Sequence, residues 1–307
     1  MRILFATDGS PSAETALDML VALPLRATDH ITVLSIPVHS YAGVEFDGAG
    51  QLVAEVAMEE TATARRIATD ALGRITAKGA SASILVQEGL PAPTINEIAR
   101  SDDADLVVLG SRGLGHVAGL ILGSTARAVA RTSPVPVLVV RDRRTPPRRI
   151  LIAIDGSDDA NAAIRTLAAM PLSRNVEITL LHVQAERERP DAATERDERR
   201  AAVELFSAAR ELLPPASGTR LELERGPAAE RIVAAASAEG SDLIVLGARG
   251  RTAHRVGFLQ GSTADRVLEN AHCAVLVARA QMPATPAGAT GRRGAAATSR
   301  EGEEAVR

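Results

Sequence analysis

Short apolar runs alternate with stretches of helical periodicity along most of the chain. The first run, Ile3–Thr7, ends at Asp-Gly, and Pro11–Leu23 follows with apolar residues three or four positions apart, the spacing of a helix with one buried face. The later apolar runs of the N-terminal half are Ile31–Val38, Ser83–Val86, Asp105–Leu109 and Val135–Val140, and the helical stretches between them are Val53–Thr76, Thr94–Arg100 and Ser124–Arg131. Apolar strands separated by helices are typical of a parallel sheet covered on both faces. The pattern predicts a doubly wound α/β domain with a five-stranded parallel sheet.

The C-terminal half repeats the N-terminal half in sequence. Arg2–Leu17 matches Arg149–Ile164 at nine of sixteen positions, and Asp105–Gly113 matches Asp242–Gly250 at seven of nine. A third block, LGSTARAVARTSPVPVLVVR, returns near the C-terminus with nine of twenty positions identical. Three matching blocks in the same order indicate a tandem duplication. The strands predicted for the second copy are Ile150–Ile154, Glu177–Val183, Arg220–Leu223, Leu243–Leu246 and Ala274–Ala278, with a long helix over Ala192–Leu213.

The chain divides into two predicted domains, a linker and a tail. Residues 1–141 and 149–279 each hold one copy of the repeat. Residues 142–148, DRRTPPR, form a short charged stretch with two prolines, which is typical of a tether. Residues 280–307 are rich in Ala, Gly, Thr, Pro, Arg and Glu. This composition predicts a disordered tail, because it offers too little apolar surface to bury.

The composition narrows the classes of function. The formal net charge of −3 and the 2% aromatic content disfavour binding of nucleic acids. Cys273 is the only cysteine, which excludes an intramolecular disulfide framework and a multi-cysteine metal site. The only lysine, Lys78, follows alanine rather than glycine, which excludes a P-loop. Because no apolar run reaches the roughly 18 residues of a membrane span and the N-terminus reads as a strand rather than a signal peptide, we expect a cytoplasmic protein with no membrane contact.

An aspartate follows the first strand of each repeat. In a doubly wound sheet, ligands bind beyond the carboxyl ends of the strands, where the strand order reverses, and Asp8 and Asp155 both fall there. Their carboxylates can accept hydrogen bonds from a ribose hydroxyl or a base amine, but they can equally shape the turn into the next helix. Both interpretations stay open. The nearby pair Asp158-Asp159 is interpreted as serving turn and capping roles.

A glycine-rich loop after the fourth strand carries the strongest signal for a ligand. Gly110–Gly113 (GSRG) is followed after nine residues by Gly123–Thr125 (GST), which opens a helix. The glycines let the backbone approach a ligand closely, and the free amides and positive dipole end of the helix suit phosphate. Within this loop Arg112 could contact phosphate or pair with an acid. The loop follows strand four rather than strand one, so it does not match the dinucleotide fingerprint.

The glycine loop, taken together with Asp8, resembles the ATP-binding pattern of universal stress proteins. The resemblance covers both repeats, so the chain is similar to a tandem two-domain member, and it implies bound ATP with Mg²⁺ bridging the phosphates mainly through ligand and water. It also implies that the two halves pack as an intramolecular pseudo-dimer, while a homodimer of whole chains stays open. The resemblance places Ala6, Thr7 and Asp8 beside the adenosine, Ile36 at the adenine pocket, and Leu109 and Gly110 against the nucleotide. It places Gly113, Gly123, Ser124 and Thr125 at the phosphates, with Arg112 as a further candidate.

The second half keeps only part of this pattern. The retained candidates for nucleotide binding are Asp155, Gly247, Gly250, Gly261, Ser262 and Thr263. Ten residues instead of nine separate Gly250 from Gly261, and Ile154 replaces Thr7, which removes a hydroxyl. Arg249 repeats Arg112 and carries the same two interpretations. We expect the same fold there, and nucleotide binding by the second half stays open.

The function predicted from these features is that of an ATP-binding regulatory or stress-response module whose state an unidentified protein senses. One alternative is a slow ATPase or adenylyl-transfer enzyme, although the sequence offers no identifiable general base or lysine clamp. The other is an interaction scaffold that binds no nucleotide. Cys273 is interpreted as a small core residue, and His116 and His254 as solvated loop residues.

Overall fold

The computed structural model describes residues 1–37, 50–114, 122–141, 144–173, 175–186, 192–214, 218–250 and 263–280. The strands are β1 (Arg2–Ala6), β2 (His30–Ser35), β3 (Ser81–Val86), β4 (Leu106–Gly110), β5 (Val137–Val140), β6 (Arg149–Ala153), β7 (Glu177–Gln184), β8 (Gly218–Arg225), β9 (Leu243–Gly247) and β10 (Ala274–Ala278). The helices are α1 (Pro11–Ala22), α2 (Gly50–Thr76), α3 (Pro91–Ser101), α4 (Ser124–Thr132), α5 (Asp158–Ala169), α6 (Ala192–Glu211), α7 (Ala228–Glu239) and α8 (Thr263–Asn270). The predicted tail beyond Ala280, the first two linker residues, His116, His254, Gly261 and Ser262 lie outside the described residues.

These strands join one sheet in the order β3-β2-β1-β4-β5-β10-β9-β6-β7-β8. Neighbouring strands within each half are parallel, and the two halves join through β5 and β10, which pair antiparallel with Val139 opposite Val275. The predicted α/β fold with two doubly wound five-stranded halves is confirmed. In each half the strand order reverses between the first and fourth strands, β1 and β4 or β6 and β9. A crevice is expected at the carboxyl edge of the sheet at each reversal.

Alternate residues of the strands feed two cores on opposite faces of the sheet. Ile3 and Phe5 pack into the core that α1, α2, α5 and α6 cover. Leu4 and Ala6 pack into the other core, which α3, α4, α7 and α8 cover. The helix positions that face the sheet are often alanine, and Ala16 is fully buried. Small side chains let the helices lie close to the sheet, so a chain with few aromatics still closes both cores.

Helices α4 and α8 lie against each other where the two halves meet. Arg127 and Arg131 of α4 pair with Glu269 and Asp265 of α8, at 2.5 and 3.8 Å. The guanidinium of Arg279 donates across the same boundary to the carbonyl oxygen of Ser133 at 3.1 Å. The halves therefore share the central strand pair and a polar helix contact.

Cys273 packs against the second core at the start of β10. Burial raises the pKa of its thiol to about 11, so very little thiolate forms near neutral pH and the side chain is a weak nucleophile. This environment agrees with the interpretation of Cys273 as a core residue. Within the described ranges, every helix is too short or too polar to cross a membrane.

Candidate functional site

A cavity of about 760 Å³ opens at the carboxyl edge of the first half, where the strand order reverses between β1 and β4. All eleven candidate residues of the first half line it, namely Ala6, Thr7, Asp8, Ile36, Leu109, Gly110, Arg112, Gly113, Gly123, Ser124 and Thr125. The volume is that of a pocket for a drug-sized or nucleotide-sized ligand. Contact between these eleven residues and a ligand stays a prediction.

Asp8 joins the turn after β1 to the glycine loop after β4. The amide of Ser10 donates to Oδ1 of Asp8, and the amide of Leu114 donates to Oδ2, each at 3.0 Å. A Cβ atom on Gly113 would lie 2.6 Å from Oδ2 of Asp8, so this loop packs against the carboxylate only because residue 113 is glycine. The turn role of Asp8 is therefore present, and the same carboxylate lines the cavity.

Two serine side chains at the start of α1 hydrogen-bond the backbone of Arg112. The hydroxyl of Ser12 donates to the carbonyl oxygen of Arg112 at 2.8 Å and accepts from its amide at 2.9 Å. The Ser10 hydroxyl donates to the same carbonyl at 3.0 Å, and it also caps α1 by accepting from the amide of Ala13 at 3.3 Å. The side chains of Ser10 and Ser12 thus fix the backbone of residue 112, which lines the cavity.

The N-terminus of α4 opens into the cavity without a side-chain cap. The N-cap residue is Gly123, whose own amide donates to the carbonyl oxygen of Ser111 at 2.8 Å. The first amide with an intrahelical partner is that of Arg127, which donates to the Gly123 carbonyl at 3.0 Å. The amides of residues 124–126 precede it, all three residues line the cavity, and the first turn holds no acidic residue. The positive end of the helix dipole is therefore available to an anion.

The opposite wall comes from α2 and from the end of β2. Val56, Glu59, Glu60, Thr63 and Ile67 form a stripe along α2 that lines the cavity, at the spacing of one helix face. Leu34, Ser35, Pro37 and Ile95 also line the cavity. The sequence analysis missed these α2 residues, because their pattern of two acids between apolar positions reads as an ordinary amphipathic helix. Only the three-dimensional position of α2 shows that its stripe faces a cavity.

The site residues of the second half reproduce part of the first-half arrangement. Asp155 accepts from the amide of Ser157 at 3.0 Å, and a Cβ atom on Gly250 would lie 2.8 Å from its Oδ2, so the turn of the first half is reproduced. Gly247 approaches α5 closely, since a Cβ atom added to it would lie 2.6 Å from the amide nitrogen of Ala160. Thr263 begins α8. His182, which replaces Ser35 in the strand register, donates Nδ1–H to the carbonyl oxygen of Ile154 at 2.8 Å.

Asp159 binds Arg249, the counterpart of Arg112 in the second half. Its Oδ2 accepts from the backbone amide and from Nε of Arg249, each at 3.0 Å, and its Oδ1 accepts from Nη2 at 3.3 Å and from the amide of Ala280 at 2.9 Å. This carboxylate occupies the place of Ser12 in the first half and is buried, with 4% of its surface exposed. Its hydrogen bond and charge raise the pKa of the Arg249 guanidinium. The capping role expected for Asp159 is wrong, since Ser157 caps α5 by accepting from Ala160 at 3.1 Å.

Comparison with known proteins identifies the same two repeats in this chain. The model of the universal stress protein family matches residues 1–141 and again 147–279. Universal stress protein Rv2005c of Mycobacterium tuberculosis is 30% identical over 200 residues, which are 62% of this chain and 66%, just under two thirds, of that protein. A universal stress protein of Thermus aquaticus is 36% identical over 140 residues, or 45% of this chain and 97% of its own length. The crystal structure of a universal stress protein from Archaeoglobus fulgidus has the same fold, with a TM-score of 0.64 and 21% identity over 91% of this chain and 96% of its own. The chain belongs to the universal stress protein family, and it carries two copies of the family's domain in tandem.

Proposed function

We propose that the first half binds ATP and that its occupancy regulates how the chain is recognised by another protein. The observation that carries this proposal is the uncapped N-terminus of α4, which faces a cavity large enough for a nucleotide. A helix N-terminus with free amides attracts phosphate through its hydrogen bonds and its dipole. The sequence supports the same ligand class, since the glycine loop and Asp8 resemble the ATP-binding pattern of universal stress proteins.

The two ends of the cavity suit the two ends of ATP. The phosphates would meet the amides of residues 124–126, the hydroxyls of Ser124 and Thr125, and the guanidinium of Arg112. The adenine would lie among Leu34, Ile36 and Ile95, whose apolar side chains suit a flat purine. The carboxylate oxygens of Asp8 each accept one backbone hydrogen bond and can accept another from a ribose hydroxyl.

A magnesium ion fits this site as a companion of the phosphates. Asp8, Glu59 and Glu60 are the acidic residues that line the cavity in the described part of the chain, and no group of three or more metal-binding side chains occurs among the described residues. Mg²⁺ usually keeps several waters and is held by one or two carboxylates together with substrate phosphates. When bound, the ion would neutralise phosphate charge while these carboxylates hold its water shell.

The second half is proposed to leave its site without nucleotide. Asp159 places a buried carboxylate where the first half has the neutral Ser12, and it engages the arginine that corresponds to Arg112. A phosphate entering there would have to compete with the Asp159 carboxylate for the guanidinium of Arg249. We therefore propose one nucleotide per chain.

Binding is favoured over rapid catalysis by the chemistry of the cavity. Among its described lining residues there is no lysine, histidine or cysteine, the side chains that most often act as nucleophile or phosphate clamp. The remaining ionisable groups are Arg112 and three carboxylates. A site of this kind suits a nucleotide-responsive switch, with a slow ATPase as the alternative that a measurement of product formation would identify.

A pair of matched variants tests the assignment of the site. Asp8→Ala is expected to lower the affinity for ATP at least about tenfold, because it removes a charged acceptor and releases the loop at Leu114. Asp155→Ala removes the equivalent turn carboxylate in the second half and is expected to leave the affinity within about twofold. Isothermal titration calorimetry with MgATP measures both. Equal losses in the two variants, or no loss in either, would contradict the assignment.

A further inference from the structure

The two edges of the ten-stranded sheet differ in how well their apolar residues are covered. β3 and β8 are the edge strands, and the described ranges contain no strand on the outer side of either. On β8, Leu221 is 50% exposed and Leu223 is 43% exposed. Their counterparts in the strand register of β3, Ile84 and Val86, are half-buried, and Ile84 packs against the core that α2 covers. A long edge strand with exposed leucines offers its unpaired backbone groups and its apolar surface to another strand.

The charged residues of β8 alternate with these leucines and face α7. Arg220 pairs with Glu239 at 3.1 Å, and Glu224 pairs with Arg231 at 3.9 Å. Burial, followed by a hydrogen bond with Glu239, raises the pKa of Glu222. On this face of β8, two arginines (Arg220 and Arg231) therefore lie near three carboxylates, those of Glu222, Glu224 and Glu239. Glu222 is placed where a further positive charge would stabilise it.

We propose that two copies of the chain associate edge to edge through β8, with the strands antiparallel and Leu221 at the centre of the register. In this register Arg220 of each chain lies opposite Glu222 of the other, so two opposite-charge pairs form across the edge. The leucine at 221 meets its own copy, and Leu223 lies opposite Thr219, so the exposed apolar surface becomes covered on one face. Directly opposed cross-strand pairs of these types stabilise antiparallel sheets.

Other registers lose the opposite-charge pairs or set like charges opposite each other. A centre at residue 222 keeps two Arg220–Glu224 pairs but sets Glu222 against its own copy, and a centre at residue 220 sets Arg220 against its own copy. Registers centred between two residues are unfavourable as well, because they put leucine opposite a charged residue or Arg220 opposite Arg225. The register centred on Leu221 pairs opposite charges without any like-charge pair, and this charge complementarity favours a second copy of this chain in that register. This proposal is independent of nucleotide binding.

The association is expected to be weak, because a single pair of eight-residue strands buries less surface than most stable dimers. Sedimentation velocity of the full chain, from about 1 to 300 µM, is expected to show a reversible monomer–dimer equilibrium with a dissociation constant in the micromolar range. Leu221→Asp is expected to leave the chain monomeric throughout. Met58→Asp is the matched control, since Met58 is 65% exposed on α2, which packs against β3 at the opposite edge of the sheet from β8, and this variant should associate like the original chain.

A charge exchange tests the register itself. Arg220→Glu and Glu222→Arg should each weaken association at least tenfold, because each sets two like-charged pairs across the edge. The double variant should restore it, because it re-forms the opposite-charge pairs with their signs reversed. Rescue by the double variant supports the proposed register. A chain that is monomeric at every concentration, or a dimer that persists in Leu221→Asp, would overturn the proposal.

Discussion

Replacing Ser124 with aspartate is expected to lower the affinity for ATP by at least about 100-fold while the chain remains folded. Ser124 is the exposed first residue of α4, and it lines the cavity beside the free amides of the helix. A carboxylate a few ångströms from the phosphates costs about 4 kcal/mol for each pair of unit charges at an effective dielectric constant near 20. The same carboxylate stabilises the helix N-terminus by about 0.3–1 kcal/mol. Binding and stability should therefore change in opposite directions.

Two controls separate charge from shape in this experiment. Ser124→Asn has nearly the same size as Ser124→Asp but no charge, and it should retain most of the affinity for ATP. Adenosine, which lacks phosphates, should bind both variants alike. Calorimetry gives the affinities, and urea denaturation gives the free energy of unfolding. If Ser124→Asp bound ATP as tightly as the original chain, the phosphates would not lie at α4.

Gly110→Ala is expected to lower the free energy of unfolding by about 3 kcal/mol, at the upper end of the usual cost of overpacking. An added Cβ would lie 2.3 Å from the Ser12 hydroxyl, 2.5 Å from the Ser12 carbonyl carbon and 2.6 Å from the Ala13 amide nitrogen. Two of these three atoms belong to the backbone of α1, so a side-chain rotation cannot relieve the overlap. The shift of α1 would also disturb the hydrogen bonds of Ser12 with Arg112.

Gly73→Ala is the matched control for this substitution. Gly73 lies inside α2, and nothing would lie within 4 Å of an added Cβ. Alanine favours a helix over glycine by about 0.5–1 kcal/mol, so this variant should be slightly more stable than the original chain. Urea denaturation of both variants measures the contrast. Equal stability of Gly110→Ala and Gly73→Ala would mean that α1 does not pack against β4 as described.

The architecture could be predicted from the sequence because apolar runs and helical stretches alternate without interruption. Part of the cavity lining could be predicted as well, since Asp8, Gly110, Gly113 and Gly123 lie close in the chain to the ends of β1 and β4 or to the start of α4. The β8 strand was predicted too short, at Arg220–Leu223 instead of Gly218–Arg225. Its outer residues are charged or half-exposed, so the apolar signal that marks the inner strands is missing there.

The features that the sequence could not supply depend on contacts between distant segments. The α2 wall is one of them, because Glu59 and Glu60 face the cavity only through the packing of α2 over the sheet. Asp159 is another, since a second aspartate at a helix start looks like a capping residue. Its role appears only when the loop after β9 brings Arg249 against it, 90 residues further along the chain. The departure of the second half from the first is therefore larger than one inserted residue suggests.

Calorimetric titration of the purified full chain with MgATP, after removal of any nucleotide that co-purifies, tests the central claim most directly. We predict that it saturates at one ATP per chain, because the proposed phosphate site is the free N-terminus of α4 in the first half, whereas in the second half Asp159 engages Arg249. Saturation at two ATP per chain, or no binding at all, would contradict this account.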